Sequence, residues 1–268
     1  MLRARVVTAL VLLFAFLGVL FLLPAPAAAA AFGLVAAIAA WEWAGLMGGR
    51  SAGRVLFGAL VGAVCWESYI LGPGSYAAFW GAAALFWLFV AGAWLRGRWS
   101  VAGVRLLGYA LGLVLLVATW SAMVSLHQRG PWILVGVMAL AWVSDIAAYF
   151  TGRAFGRRKL APNISPGKTW EGVIGALAGV LVYGAAIGAA TGYFGSAPAP
   201  MVLAAALCLL LLTALGIAGD LFESLLKRQA GIKDSSGLLP GHGGVLDRVD
   251  SLMAILPLAA LMLEPYAK

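Results

Sequence analysis

Apolar residues run in long uninterrupted stretches along nearly the whole chain, and polar residues are confined to breaks between them. A helix that crosses a bilayer needs roughly 17 to 25 apolar residues. The breaks divide the chain into about nine stretches of that order, at 6–23, 27–47, 55–71, 76–95, 101–125, 132–150, 172–194, 201–219 and 249–263. The breakers are Pro24, Gly48 and Gly49, Gly72 and Pro73, the basic residues at 96–98, Gly130 and Pro131, the segment 151–170, the prolines at 198 and 200, and the segment 220–248. Runs such as 114–118 and 207–212 show no alternation of apolar and polar positions, so an outer-membrane barrel is excluded. The pattern predicts an all-α, polytopic membrane protein.

Composition agrees with that reading. Of 268 residues, 63% are hydrophobic and 10% are charged, whereas soluble domains carry about 25% charged residues. The N-terminus has a basic start, an apolar run and Pro24-Ala-Pro-Ala, which is signal-like. The run is longer than the roughly 7 to 15 residues of a signal core, so a retained first helix is expected. Cys65 and Cys208 sit in apolar runs with no metal-ligand spacing and read as buried thiols.

The net charge of +8 does not point to nucleic acid, because the basic residues lie in small groups between spans instead of forming a stripe. Numbering the loops alternately puts 16 of the 18 basic residues on one side and leaves only Arg129 and Lys268 on the other. By the positive-inside rule the N-terminus is cytoplasmic and the C-terminus outside. A location in the inner, cytoplasmic membrane follows. Residues 1–130 offer Glu42 and Glu67 but no dense polar cluster, and read as scaffold and lipid-facing wall. Residues 131–268, with the two long cytoplasmic segments 151–170 and 220–248, hold the chemistry within one integrated membrane domain.

Seven of the ten acidic residues fall in or beside those segments. If the eighth span continues past Gly219, then Asp220, Glu223, Ser224, Lys227 and Arg228 share one face at i, i+3, i+4, i+7 and i+8. Residues 231–244, rich in glycine and including Lys233, His242, Gly243 and Gly244, can bring backbone N–H groups close to phosphate oxygens. Asp247 and Asp250, spaced i, i+3 around Arg248 and so expected on one face, begin an apolar helix, where unpaired charge is costly and usually functional. Carboxylates from two helices form a candidate Mg2+ site, since that ion takes one or two carboxylates with waters and substrate phosphates. Together with neighbouring Lys and Arg, they point to phosphoryl or nucleotidyl transfer. Solvated helix flanks and helix-dipole complementarity are the structural alternatives. Lys168 and Thr169 are read equally as phosphate contacts or helix caps, and His242 as a ligand contact or a loop-shaping residue.

Ser224-Leu-Leu-Lys-Arg228, Lys233-Asp234 and Leu239-Pro-Gly-His-Gly-Gly-Val-Leu-Asp-Arg-Val-Asp250 together resemble the signature of the phosphatidate cytidylyltransferases. Ser165-Pro-Gly-Lys-Thr-Trp-Glu-Gly172 resembles a second motif of that family, with Gly167 where a basic residue is usual. Asp145 with Tyr149, Gly152 and Gly156 resembles a third. The resemblance implies transfer of CMP from CTP to phosphatidic acid on a divalent metal. It implies metal roles for Asp220 and Asp247 with Asp250 close by, and Mg2+ as cofactor with a second cation left open. It also implies substrate contacts from 224–228 and from 165–171, Glu171 included. A cytidylyltransferase acting on another lipid phosphate, such as an ether-linked prenyl lipid, fits the same motifs. An ion-coupled secondary transporter is the alternative of a different class, opposed by the absence of an inverted repeat. Glycine-rich spans allow helix association, so a homodimer is compatible with the sequence.

Overall fold

The computed structural model describes residues 2–100 and 104–264. Helices α1 (Leu2–Leu22), α2 (Ala25–Leu46) and α3 (Ser51–Leu71) lead into a composite crossing. That crossing is built from a 3-10 turn (Pro73–Ser75), α4 (Tyr76–Leu85), a π-helical turn (Phe86–Val90) and α5 (Ala91–Gly97). Then come α6 (Arg105–Arg129), α7 (Pro131–Phe155), strands β1 (Lys159–Ala161) and β2 (Ser165–Thr169), and α8 (Trp170–Ala190). The chain closes with α9 (Tyr193–Ser196), α10 (Ala199–Gln229), α11 (Leu246–Val249) and α12 (Leu252–Leu263).

Among the described residues, seven helical segments are long and apolar enough to cross a membrane, and Val7–Leu22 and Leu252–Leu263 are shorter apolar helices. Seven of the nine expected spans are thus matched by such segments, and the first and last by the shorter helices. The expected start of the fifth span at 101, and the outer Lys268, lie outside the described residues. The predicted breakers act as their chemistry requires. Gly130 takes a φ of 148°, which disfavours any side chain, and Pro131 then opens α7, where a missing N–H costs nothing.

The last helix is the centre of the bundle. Residues 252–260 of α12 are all buried, and α4, α6, α7 and α10 pack around them. Buried tryptophans fasten the surrounding helices through their indole N–H groups. Trp43 donates to the carbonyl of Gly108 at 2.9 Å, Trp87 to that of Met253 at 2.9 Å and Trp120 to that of Ala29 at 3.0 Å. In an apolar interior such groups must find partners, so each bond fixes register as well as contact. Small residues set the closest approaches. A Cβ on Gly175 would lie 2.0 Å from the Thr151 hydroxyl, which is why α8 can lie against α7.

Two features depart from the expected layout. The segment 151–170 is not a plain loop: α7 runs on to Phe155, and the remainder forms an antiparallel hairpin pairing Lys159 with Thr169 and Ala161 with Ser165. Helix α10 does continue past Gly219, through 31 residues to Gln229. At 1.5 Å per residue it is about 46 Å long, more than the roughly 30 Å of a hydrocarbon core requires. Its last turns carry Asp220, Glu223, Ser224, Lys227 and Arg228.

Candidate active site

The hairpin delivers one cation to α10. Thr169 caps α8, its hydroxyl accepting from the Gly172 N–H at 3.1 Å, and Glu171 accepts from the backbone N–H groups of Arg157 and Arg158 at 3.1 and 3.2 Å. These bonds pin the end of β2 against α7. Lys168, one residue earlier, then reaches across so that its Nζ lies 2.6 Å from Asp220 Oδ2. Ser224, one turn along α10, donates to Asp220 Oδ1 at 3.3 Å.

Asp250 joins this pair because Gly219 lets α10 press on the bend before α12. A Cβ there would lie 2.6 Å from the Asp250 carbonyl oxygen. The Asp250 carboxyl lies within electrostatic reach of Asp220, Asp145 and Lys168. Arg248, exposed on α11, acts electrostatically on Asp145. Beside these acids opens a cavity of about 420 Å³ between α7, β2 and α8. Asp145, Arg153, Ser165 and Lys168 supply its polar wall, and Leu160, Val173 and Ile217 its apolar one.

A second cluster lies further along α10. Lys227 Nζ sits between the carboxylates of Glu223 and Asp247, 2.5 Å from Asp247 Oδ1. Asp247 Oδ2 accepts from the Ser235 N–H at 3.0 Å, the Ser235 hydroxyl at 2.9 Å and the Gly244 N–H at 2.7 Å. Burial works to raise the Asp247 carboxyl, but the Lys227 ammonium and these N–H donors outweigh it and hold the group below the usual carboxylate range. Glu223 is fully buried, and Lys227 is its cationic partner. From the other end of the chain Glu42 enters the same cluster, accepting from Ser235, Ser236, Val245 and Leu246.

These clusters unite the chain's far-separated polar motifs, and the likeness to known proteins spans all of them. The sequence profile of the Cytidylyltransferase family matches residues 3–266. The chain belongs to that family. A phosphatidate cytidylyltransferase of Pseudomonas aeruginosa is 44% identical over 276 aligned positions, which cover 98% of this chain and 97% of the relative. Proteins of the same name from Haemophilus influenzae and Brucella suis are 46% identical over 140 positions and 42% identical over 177, covering 44% and 61% of their own lengths.

Within this cytidylyltransferase the expected site residues divide by location. Asp145, Ser165 and Lys168 line the cavity, and Asp220 joins them through Lys168. Thr169 lines the cavity too and also caps α8, and Glu171 clasps the hairpin. Arg228 donates to the carbonyl of Ile164 at 3.3 Å and so ties α10 to the hairpin. Lys233 is exposed in the loop. His242 closes a tight turn in which its N–H donates to the Leu239 carbonyl at 2.8 Å and the Leu239 N–H to the Gly243 carbonyl at 2.9 Å. Gly243, at a φ of 77°, permits the turn.

Asp247 and Asp250 do not share one face, because the chain bends at 250–251 between α11 and α12 and sends their side chains to different clusters. Among the described residues no three acidic, His or Cys side chains converge tightly enough to hold one metal ion. The expected trio of Asp220, Asp247 and Asp250 is thus not a three-carboxylate cage. The donor set nevertheless suits a hard cation, since a lysine ammonium already stands against Asp220 Oδ2 and against Asp247 Oδ1, and Mg2+ needs only one or two carboxylates. Glu42 is the site residue that sequence reasoning missed. Its signal was a lone acid inside an apolar helix, with no basic residue one turn away to pair with it.

Proposed function

We propose that this cytidylyltransferase transfers CMP from CTP to phosphatidic acid, giving CDP-diacylglycerol and pyrophosphate for phospholipid synthesis. The observation that carries the reading is the Lys168 to Asp220 contact, which joins two motifs at the edge of a cavity with one polar and one apolar wall. It occurs in a chain that aligns with 97% of a relative named for this activity. A cavity of about 420 Å³ falls within the range of ligand pockets, roughly 300 to 1,000 Å³.

The chemistry asks for charge control more than for proton transfer. A phosphomonoester has a second pKa near ~6, so the phosphatidate oxygen is largely deprotonated at neutral pH. It forms the new bond to the α-phosphorus of CTP as the bond from that phosphorus to the bridging oxygen breaks and pyrophosphate departs. No general base is needed. What opposes reaction is repulsion between two polyanions, and cationic groups fixed in place lower that barrier.

Lys168 and Arg153 at the cavity wall balance phosphate charge, while Leu160, Val173 and Ile217 seat the apolar start of the lipid. Asp220, partly exposed at the cavity edge, is the residue that would hold Mg2+, while Asp247 stays closed in with Lys227 and Asp250 lies nearby. The ion when bound supplies neutralisation of phosphate charge and polarisation of the phosphoryl group. The excess of basic residues on one set of loops supports a cytoplasmic site in the inner membrane, on the side where CTP is available.

The test is a panel of lipid phosphates offered to the purified protein with labelled CTP and Mg2+. Label should enter lipid with phosphatidic acid as acceptor. Label entering only an ether-linked prenyl phosphate would reassign the lipid, and no labelled lipid with any acceptor would remove the function.

A further inference from the structure

Glu42 is fully buried near the end of α2, yet among the described residues it makes no ion pair. Its charge is met by four hydrogen bonds, all from residues about 200 positions away. Oε1 accepts from the Ser236 hydroxyl at 2.5 Å and from the Val245 N–H at 3.0 Å. Oε2 accepts from the Ser235 hydroxyl at 3.0 Å and from the Leu246 N–H at 2.6 Å. Each oxygen therefore grips both ends of the 235–246 loop at once.

That loop is what holds Asp247. The Ser235 and Gly244 N–H groups bonded to Asp247 Oδ2 lie one residue, at most, from the groups bonded to Glu42. The Ser235 hydroxyl stands between the two acids, 3.0 Å from one and 2.9 Å from the other, and its single hydrogen can serve one at a time. Space is equally tight: a Cβ on Gly244 would lie 2.0 Å from the Ser235 hydroxyl and 2.5 Å from Glu42 Oε1. The platform beneath is rigid. Neighbouring Trp43 is buried and bonded to Gly108 on α6, and its ring lies 6.4 Å from that of Phe222, one residue before Glu223.

We infer that Glu42 is a positioning residue for CMP transfer: from the N-terminal half it fixes the 235–246 loop so that Asp247 meets Lys227 in the reactive arrangement. It touches no reacting atom. This inference rests on the functional reading above. A carboxylate is required because two of the four donors are backbone N–H groups that cannot become acceptors. Glutamine would turn an amide NH2 towards one of them, whichever way the amide is placed.

The experiment compares kcat, KM and backbone amide hydrogen exchange for wild type, Glu42→Gln, Glu42→Asp and Ser236→Ala, each purified in detergent and counted as folded protein. Glu42→Gln should lower kcat at least tenfold with both KM values within about twofold, and exchange should rise in 234–247 and not elsewhere. Glu42→Asp, which keeps the charge, should recover at least threefold in kcat over the glutamine variant. A wild-type kcat per folded molecule in Glu42→Gln overturns the inference, as does an equal loss in the Asp and Gln variants. Should Glu42→Gln fail to fold, Ser236→Ala decides: a severalfold loss of kcat at unchanged melting temperature supports the role, and an unchanged kcat refutes it. If wild type transfers no CMP, the functional reading falls, while exchange in 234–247 still shows whether Glu42 holds the loop.

Discussion

Lys168 and Lys227 each hold an aspartate, but the two ion pairs sit in different surroundings. The Lys168 and Asp220 side chains are 26% and 27% exposed and border the cavity, and Asp220 has one further hydrogen bond, from Ser224. Lys227, Glu223 and Asp247 are 11%, 0% and 6% exposed, and Asp247 meets four donors. The first pair, with more solvent access and fewer bonds, can open to a substrate phosphate or a cation more readily than the second. The second is part of the fold, where loss of one partner strands a buried charge. The same residue types at the same end of α10 thus divide the work: one cluster exchanges partners and the other keeps its shape.

Substitutions at the two aspartates test that division with the largest effects. Asp220→Asn should lower kcat by a factor on the order of 10² to 10³, the scale for removing a preorganised electrostatic contact, while thermal unfolding stays close to wild type. A melting temperature that fell sharply would place Asp220 with the closed cluster. Asp247→Asn should abolish turnover and also destabilise the protein, by about 3–5 kcal/mol as for other broken buried pairs. Chemical unfolding in detergent measures it, and a stability equal to that of Asp220→Asn would erase the contrast.

Smaller changes sharpen it. Lys168→Ala should raise KM for a phosphate-bearing substrate by about tenfold, in line with roughly 1.5–3 kcal/mol for a hydrogen bond to a charged group. Steady-state kinetics with CTP and lipid varied in turn show which substrate it contacts, and unchanged KM for both would remove it from the binding wall. Thr169→Ala, next to Lys168 but acting as a helix cap, should cost about 1 kcal/mol of stability with kcat within about twofold. A rise in KM as large as that of Lys168→Ala would mean that Thr169 meets substrate.

The spans were legible because apolar length is a strong signal, and the Gly and Pro breakers marked real helix ends or turns, whereas the two long polar segments begin inside α7 and α10. The run of Asp220, Glu223, Ser224, Lys227 and Arg228 was legible too, since α10 is regular there. The hairpin was not, because β1 has three residues and β2 contains Pro166 and Gly167, which weaken any strand pattern. Asp247 and Asp250 were misjudged because their spacing implies one face only on an unbroken helix, and the bend at 250–251 separates them. Glu42 was invisible to local pattern for the simplest reason: its partners are about 200 residues away, and only tertiary structure brings them together.

The most direct test of the central claim is phosphorus NMR of the purified protein in lipid nanodiscs containing phosphatidic acid, with CTP and Mg2+ added. CTP should disappear as CDP-diacylglycerol and pyrophosphate appear in equal amounts, and neither product should form when EDTA replaces Mg2+. Persistence of CTP and phosphatidic acid through prolonged incubation with Mg2+, or release of phosphate from CTP without a lipid pyrophosphate product, would contradict it.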